Sequence, residues 1–213
     1  MKAILFDLDG TLIDSTEPIL TGFKEAFKSF GRVAPSDEFI KELIGHPLDY
    51  MFDKLGIKKE QIDDFIEAYK NSYVKNYLDG TTLLPGCKSA IEAAYERGFV
   101  IASVTTKGHK TSKILLEHLG VGKYFTSIVG RDDVEHPKPH PEPILKALST
   151  LNVNPENSIM IGDTPMDANA AKAAGVLSFG VYCGYCEKSD LEGICDKIFA
   201  STKEAVEFIL RNY

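Results

Sequence analysis

Four apolar residues in a row, Ala3-Ile4-Leu5-Phe6, stop abruptly on Asp7-Leu8-Asp9-Gly10-Thr11. An apolar run without polar alternation marks a strand covered on both faces, and such strands belong to parallel sheets. The glycine turns the chain at once, so the strand's carboxyl end becomes the mouth of a loop. In open α/β sheets that mouth is where ligands bind. Asp7 and Asp9 stand two residues apart there, and like charges so placed repel unless a cation lies between them. Read alone, the segment would also suit a strand closed by an Asp-Gly turn with solvated acids.

Three later segments point away from that plainer reading. The strand Ile101-Ala102-Ser103-Val104 ends on Thr105-Thr106-Lys107. Pro137-Lys138-Pro139 presents a lysine between two prolines, just ahead of a helix starting near Pro141. Ser158-Ile159-Met160-Ile161 ends on Gly162-Asp163-Thr164-Pro165-Met166-Asp167 and runs into an alanine-rich stretch, Ala168 to Gly175. Several strand ends bearing acidic or hydroxyl residues, joined by a rigidly presented lysine, form a constellation.

From Pro85 onward, helix and strand alternate. The spacing predicts helices over 88–97, 111–119, 141–151, 167–174 and 202–210, with strands over 99–104, 127–129, 158–161, 177–182 and 197–199, the last at an edge. Such alternation predicts a doubly wound parallel sheet. Between Ser15 and Thr82 the period is helical throughout. Ile19, Leu20, Phe23, Phe27 and Phe30 form one stripe; Ile62, Phe65, Ile66, Tyr69, Tyr73 and Tyr77 form another. Two shorter helices, 37–44 with Ser36 as N-cap and 48–55, lie between. Four helices without a strand cannot enter a parallel sheet, so they predict an inserted all-helical bundle with the aromatic stripes as its core.

These segments resemble the four motifs of the haloacid dehalogenase superfamily of phosphotransferases, in their usual order and spacing and across nearly the whole chain. Within it, the chain most resembles the phosphoglycolate phosphatase-like branch. That finer likeness rests on Asp14-Ser15, Ile44-Gly45-His46-Pro47-Leu48, Leu84-Pro85-Gly86, Gly180-Val181-Tyr182 and Gly184-Tyr185. The resemblance implies a Rossmann-like core over residues 1–15 and 83–213. It also implies a helical cap over residues 16–82 that sets substrate specificity.

It further implies roles. Asp7 is the nucleophile that takes the phosphoryl group, and Asp9 is the general acid and then the general base. Thr105 and Lys138 bind the phosphoryl oxygens, with Lys138 also keeping Asp7 ionised. Gly10 and Thr106 supply backbone N–H donors, and His46 contacts substrate from the cap. Mg²⁺ is held by the Asp7 side chain, the Asp9 carbonyl and Asp163, with Asp167 on its waters. The expected reaction is Mg²⁺-dependent hydrolysis of a small phosphate monoester through a phosphoaspartate, phosphoglycolate foremost. Inorganic pyrophosphatase, 5′-nucleotidase, sugar phosphomutase or a non-catalytic binding module stay open as alternatives. The mutase is disfavoured because no histidine falls between Glu17 and Phe23.

Composition narrows the partners. A net charge of −7 with no basic stripe argues against nucleic acid, and means that an anionic substrate is attracted locally, by metal and lysine. No segment approaches the roughly 20 apolar residues of a membrane span, and Asp7 and Asp9 break the apolar start too early for a signal peptide. A cytoplasmic enzyme, monomer or homodimer, acting on a small phosphorylated metabolite is expected. The Cys183-Gly184-Tyr185-Cys186 spacing suits a redox pair or half a zinc site, but no second pair follows and free thiols are expected. His136 and His140 flank Lys138 without a third ligand in view.

Overall fold

A computed structural model of the chain describes residues 2–213. It divides into two compact units, Met1–Asp14 with Leu83–Tyr213, and Ser15–Thr82. Its strands are β1 (Ala3–Phe6), β2 (Ile13–Asp14), β3 (Thr82–Leu83), β4 (Val100–Val104), β5 (Phe125–Val129), β6 (Ser158–Gly162), β7 (Leu177–Val181) and β8 (Lys197–Phe199). Six of them form one sheet in the order β5-β4-β1-β6-β7-β8, with every neighbouring pair parallel. β2 and β3 pair with each other where the chain leaves and re-enters the first unit. The large sheet is the doubly wound α/β architecture, and its strand order changes direction at β1.

The helices of this unit are α5 (Cys87–Glu96), α6 (His109–His118), α7 (Glu142–Leu151), α8 (Pro165–Ala174), α9 (Lys188–Leu191) and α10 (Thr202–Asn212). Leu5, Val104 and Met160 from three adjacent strands pack with Ile144 and Leu148 of α7 and Ala171 of α8 in one buried cluster. Full burial of each such aliphatic side chain contributes about 1.5–3 kcal/mol. Parallel register sets the strand ends level: Phe6 stands beside Ser103 and beside Ile161. The residues that follow, Asp7, Thr105 and Asp163, therefore gather at one rim.

Several boundaries differ from the sequence expectation for local reasons. β5 begins at Phe125 rather than Ser127, because the 3₁₀ turn Gly122–Tyr124 delivers the chain already extended. α6 starts at His109 rather than Thr111, since the Asp132 carboxylate accepts the His109 N–H at 2.6 Å. Helix α9 is too short to leave a periodic trace; Glu187 and Asp190 start it with a capping box. β8 does lie at an edge.

The second unit contains α1 (Thr16–Ser29), α2 (Asp37–Glu42), α3 (Leu48–Lys54) and α4 (Ile62–Asn76). Its core is aromatic. Phe23 of α1 meets Phe52 of α3 at 4.8 Å and Tyr69 of α4 at 4.9 Å, and Phe27 meets Phe65 edge-on at 5.3 Å. Gly22 makes the α1–α4 approach possible, because a Cβ there would lie 2.7 Å from the Tyr69 ring. Ser36 caps α2, its hydroxyl accepting the Phe39 N–H at 3.3 Å. Among the described residues no helix is long and apolar enough to cross a membrane.

Candidate active site

At the carboxyl ends of β1, β4 and β6 the structure gathers a buried, charged pocket. Asp7, Thr105, Lys138, Asp163 and Asp167 are each less than 5% exposed. Burying so many ionisable groups is tolerable only if they are paired. Lys138 is the common partner: its ammonium lies 2.5 Å from Asp167 Oδ1, 2.9 Å from Asp7 Oδ1 and 3.0 Å from the Val104 carbonyl. The last contact anchors the lysine to the end of β4. Proline on both sides restricts the backbone that presents it, and the Lys138–Pro139 peptide is cis.

Each carboxylate is held differently. Asp163 Oδ1 accepts the Thr11 hydroxyl at 2.9 Å, and Oδ2 accepts the backbone N–H of Tyr185 at 3.0 Å. Asp167 is the N3 residue of α8, where its Oδ2 accepts the Thr164 N–H at 3.1 Å and hydroxyl at 2.7 Å. This capping box, with Pro165 at the first helical position, orients the Asp167 carboxylate while it starts the helix. Asp7 Oδ1 is the exception. Lys138 stands beside it as a charge partner, but outside hydrogen-bond geometry, so this buried oxygen has no donor.

One oxygen each from Asp7, Asp163 and Asp167 lie within 4.8 Å of one another. When ionised, the three acids outweigh the single ammonium by two negative charges. Burial therefore raises the pKa of Asp7 to about 7, with Lys138 pulling it down and Asp167 pushing it further up. Burial likewise holds Asp163 well above the usual carboxylate range. For Lys138, burial alone favours the neutral amine, but Asp167 and Asp7 more than reverse it and keep the ammonium charged. An orphaned buried carboxylate oxygen, hard oxygen donors and a double negative excess fit a divalent cation.

Asp9 faces another way. Its Oδ2 lies 3.1 Å from the Lys107 ammonium, and both side chains are about nine-tenths buried. Thr105 Oγ1 accepts the Lys107 N–H at 3.2 Å, which leaves its own proton to donate. Thr106 follows directly at the same strand end.

The expectation for Gly10 needs correction. Its N–H is not turned outward as a donor but bonds the Ile13 carbonyl at 2.9 Å. What Gly10 contributes is absence of bulk: a Cβ there would lie 2.2 Å from Asp163 Oδ2, and its φ of +81° suits glycine. Gly184 matches it from the other side, since its Cβ would fall 2.1 Å from the same oxygen.

Sequence reasoning missed two participants. Lys107 sits in the Thr105-Thr106-Lys107 triplet, and its charge at the end of strand β4 was the available signal. The Tyr185 N–H left none, because a backbone donor carries no residue-type signature. His46 belongs to the helical unit, where it stacks on Tyr50 at 4.3 Å and burial lowers its pKa. The four cysteines are free. Burial pushes the Cys87 and Cys186 thiols up to about 12, so neither is a reactive thiolate.

Comparison with known proteins gives the family. Residues 4–181 match the family model for haloacid dehalogenase-like hydrolases. A phosphoglycolate phosphatase of Aquifex aeolicus is 34% identical over 87% of this chain and 86% of its own. A pyrophosphatase PpaX of Bacillus velezensis is 36% identical over 85% and 83% respectively. Among solved structures, a haloacid dehalogenase-like hydrolase of Bacteroides fragilis superimposes with a TM-score of 0.92 at 30% identity, covering 96% of this chain and 99% of that one. By its motifs, its sheet and these relatives, the chain belongs to the haloacid dehalogenase-like hydrolase family, in the phosphoglycolate phosphatase-like branch.

Proposed function

We propose that this hydrolase is a Mg²⁺-dependent phosphatase that cleaves a small phosphate monoester through a phosphoaspartate on Asp7, with phosphoglycolate as the leading substrate. The observation that carries the reading is Asp7 Oδ1. It is a buried carboxylate oxygen without a hydrogen-bond donor, beside a lysine and two further acids.

Phosphate monoesters are so inert that their enzymes lower the barrier by on the order of 20 kcal/mol. Splitting one displacement into two through a covalent adduct is one part of the answer. The Asp7 carboxylate attacks phosphorus, and the bond to the leaving oxygen breaks as Asp9 gives that oxygen its proton. Asp9, now a carboxylate, takes a proton from water, whose oxygen displaces Asp7 from phosphorus and releases phosphate. Lys138 holds Asp7 in place and opposes the charge that gathers on the phosphoryl oxygens, while the Thr105 hydroxyl donates to one of them. Lys107 keeps the Asp9 carboxyl at the pocket. Mg²⁺, on Asp7, Asp163 and the Asp9 carbonyl, would supply positive charge against the phosphoryl oxygens, with Asp167 steadying its waters.

Selection among esters we assign to the helical unit, Ser15–Thr82, with His46 as one contact. The same reading makes the protein a cytoplasmic monomer or homodimer acting on a phosphorylated metabolite, without nucleic-acid or membrane partners; the net charge of −7 supports the lack of a nucleic-acid partner.

A second reading, inorganic pyrophosphatase, is favoured by the relative named pyrophosphatase PpaX. Phosphate release from phosphoglycolate, pyrophosphate, sugar phosphates and nucleotides, with Mg²⁺ and then with excess chelator, separates the two. Phosphoglycolate should lead the panel by kcat/KM, and chelator should abolish turnover. Undiminished turnover in chelator, or no hydrolysis of any ester, would overturn the proposal.

A further inference from the structure

The loop that presents Lys138 carries a second cluster of ligating side chains on its outer side. His136 and His140 are exposed, and Glu142 stands at the start of α7. The Glu142 carboxylate is already positioned, since it accepts the N–H groups of Glu135 and His136, each at 2.9 Å. Its Oε2 lies 3.0 Å from His136 Nδ1 and 4.0 Å from His140 Nδ1. The two imidazoles face each other with centroids 4.7 Å apart. One ligand atom from each of the three residues falls within 4.8 Å of the others. Pro137, Pro139 and Pro141 restrict the backbone between them. Glu142 supplies the third ligand that the histidine pair lacked in the sequence.

We propose that His136, His140 and Glu142 form a binding site for a transition-metal dication such as Zn²⁺, Co²⁺ or Ni²⁺, separate from the carboxylate pocket. Two imidazoles and a carboxylate, with a position left for water, are the ligand set of many three-residue sites for such ions. Bonds of about 2.0–2.2 Å in a tetrahedron set ligand atoms roughly 3.3–3.6 Å apart. The 3.0 and 4.0 Å separations bracket that spacing, and an exposed imidazole turns readily to close the widest gap. Binding through Nδ1 of His140 displaces the Glu142 N–H that it now accepts at 3.2 Å. Mg²⁺ prefers hard oxygen ligands and does not compete well here. Because His136 and His140 lie two residues either side of Lys138, a bound ion ties together both ends of the segment carrying that lysine.

Co²⁺ titration of the protein in millimolar Mg²⁺, which on the proposed function would occupy the carboxylate pocket, tests the site. The expected result is one Co²⁺ per chain, with visible d–d absorption, and selective paramagnetic broadening of the His136 and His140 ring protons. A double variant, His136→Ala with His140→Ala, should weaken Co²⁺ binding at least tenfold. Glu142→Gln should weaken it about tenfold, and His118→Ala should leave it unchanged. Equal binding by the double variant would overturn the proposal. So would broadening that spares His136 and His140 in the unaltered protein, a measurement that does not depend on any variant folding.

Discussion

Lys107 and Asp9 form an ion pair of 3.1 Å between the loops that follow β4 and β1. The two carboxylates of the first motif thereby receive separate cations: Asp7 answers to Lys138 and Asp9 to Lys107. The pairing gives acids only two residues apart a division of electrostatic partners.

Substituting each acid exposes that division. Asp7→Asn should form no phosphoenzyme and fall to background turnover. Asp9→Asn should still attack an activated aryl or acyl phosphate, yet lose the proton transfers, each worth about 10²–10⁴-fold. Intact mass after acid quench should show an added phosphoryl group on the Asp9→Asn protein and none on the Asp7→Asn protein. An adduct on the latter would reverse the assigned roles.

Lys107→Met should leave the fold intact and lower kcat for alkyl phosphates by about 10–100-fold, by loosening the acid whose full contribution is about 10²–10⁴. Aryl phosphates, whose leaving groups need little protonation, should be far less affected. Equal losses on both substrates would mean that Lys107 serves substrate binding rather than Asp9.

Lys138→Met removes the only cation paired with Asp7 and Asp167 among the described residues. Loss of one partner from a buried pair costs about 3–5 kcal/mol. That cost should be largest near pH 8 and shrink near pH 5, where Asp7, already raised to about 7, is protonated. Urea denaturation at the two pH values reads the difference, and a pH-independent loss would contradict the charge account.

The raised Asp7 also sets how the metal-free protein responds to pH. Its folded pKa of about 7 exceeds the unfolded value of 3.8, so between them the folded state holds the extra proton. Stability should therefore decline as pH rises from about 4 to 7, by at most about 1.4 kcal/mol per pH unit for each such proton. Asp163 acts in the same direction. Mg²⁺ should flatten this slope and raise Tm most at pH 7 and above. A metal-free protein that gains stability across that window would refute the assignment.

Gly184→Ala should be costly despite its small size. The new Cβ would meet Asp163 Oδ2 at 2.1 Å and the Gly10 carbonyl at 2.5 Å. Overpacking of this kind typically costs about 1–3 kcal/mol, and here it should displace the Asp163 carboxylate as well. Gly56→Ala has open space and only its φ of +83° to contend with, so it should lose about 1–2 kcal/mol and keep activity. Parallel thermal melts and phosphate-release assays compare them.

The α/β core was readable because buried parallel strands spell themselves as unbroken apolar runs, as Ala3–Phe6 and residues 159–161 do. The acids at their ends were conspicuous because charge seldom follows such runs without a purpose. What escaped notice depended on contacts distant in sequence or made by the backbone. Tyr185 reaches Asp163 through an N–H that every residue but proline possesses. Gly10 looked like a phosphate donor, yet the turn it makes consumes its N–H on Ile13. Glu142 joined the two histidines only once the proline-rich loop had a shape. Helix α9 was invisible because four residues are too few for a period.

All six strands of the large sheet run in one direction. Such a sheet has a chemical rim and a silent rim. Asp7, Thr105 and Asp163 crowd the first, while the exposed Lys2 and Asn157, just before β1 and β6, border the second. An engineer seeking attachment points, affinity handles or a new chain start has a whole edge to rewrite there, with the length of each strand as insulation from the reaction.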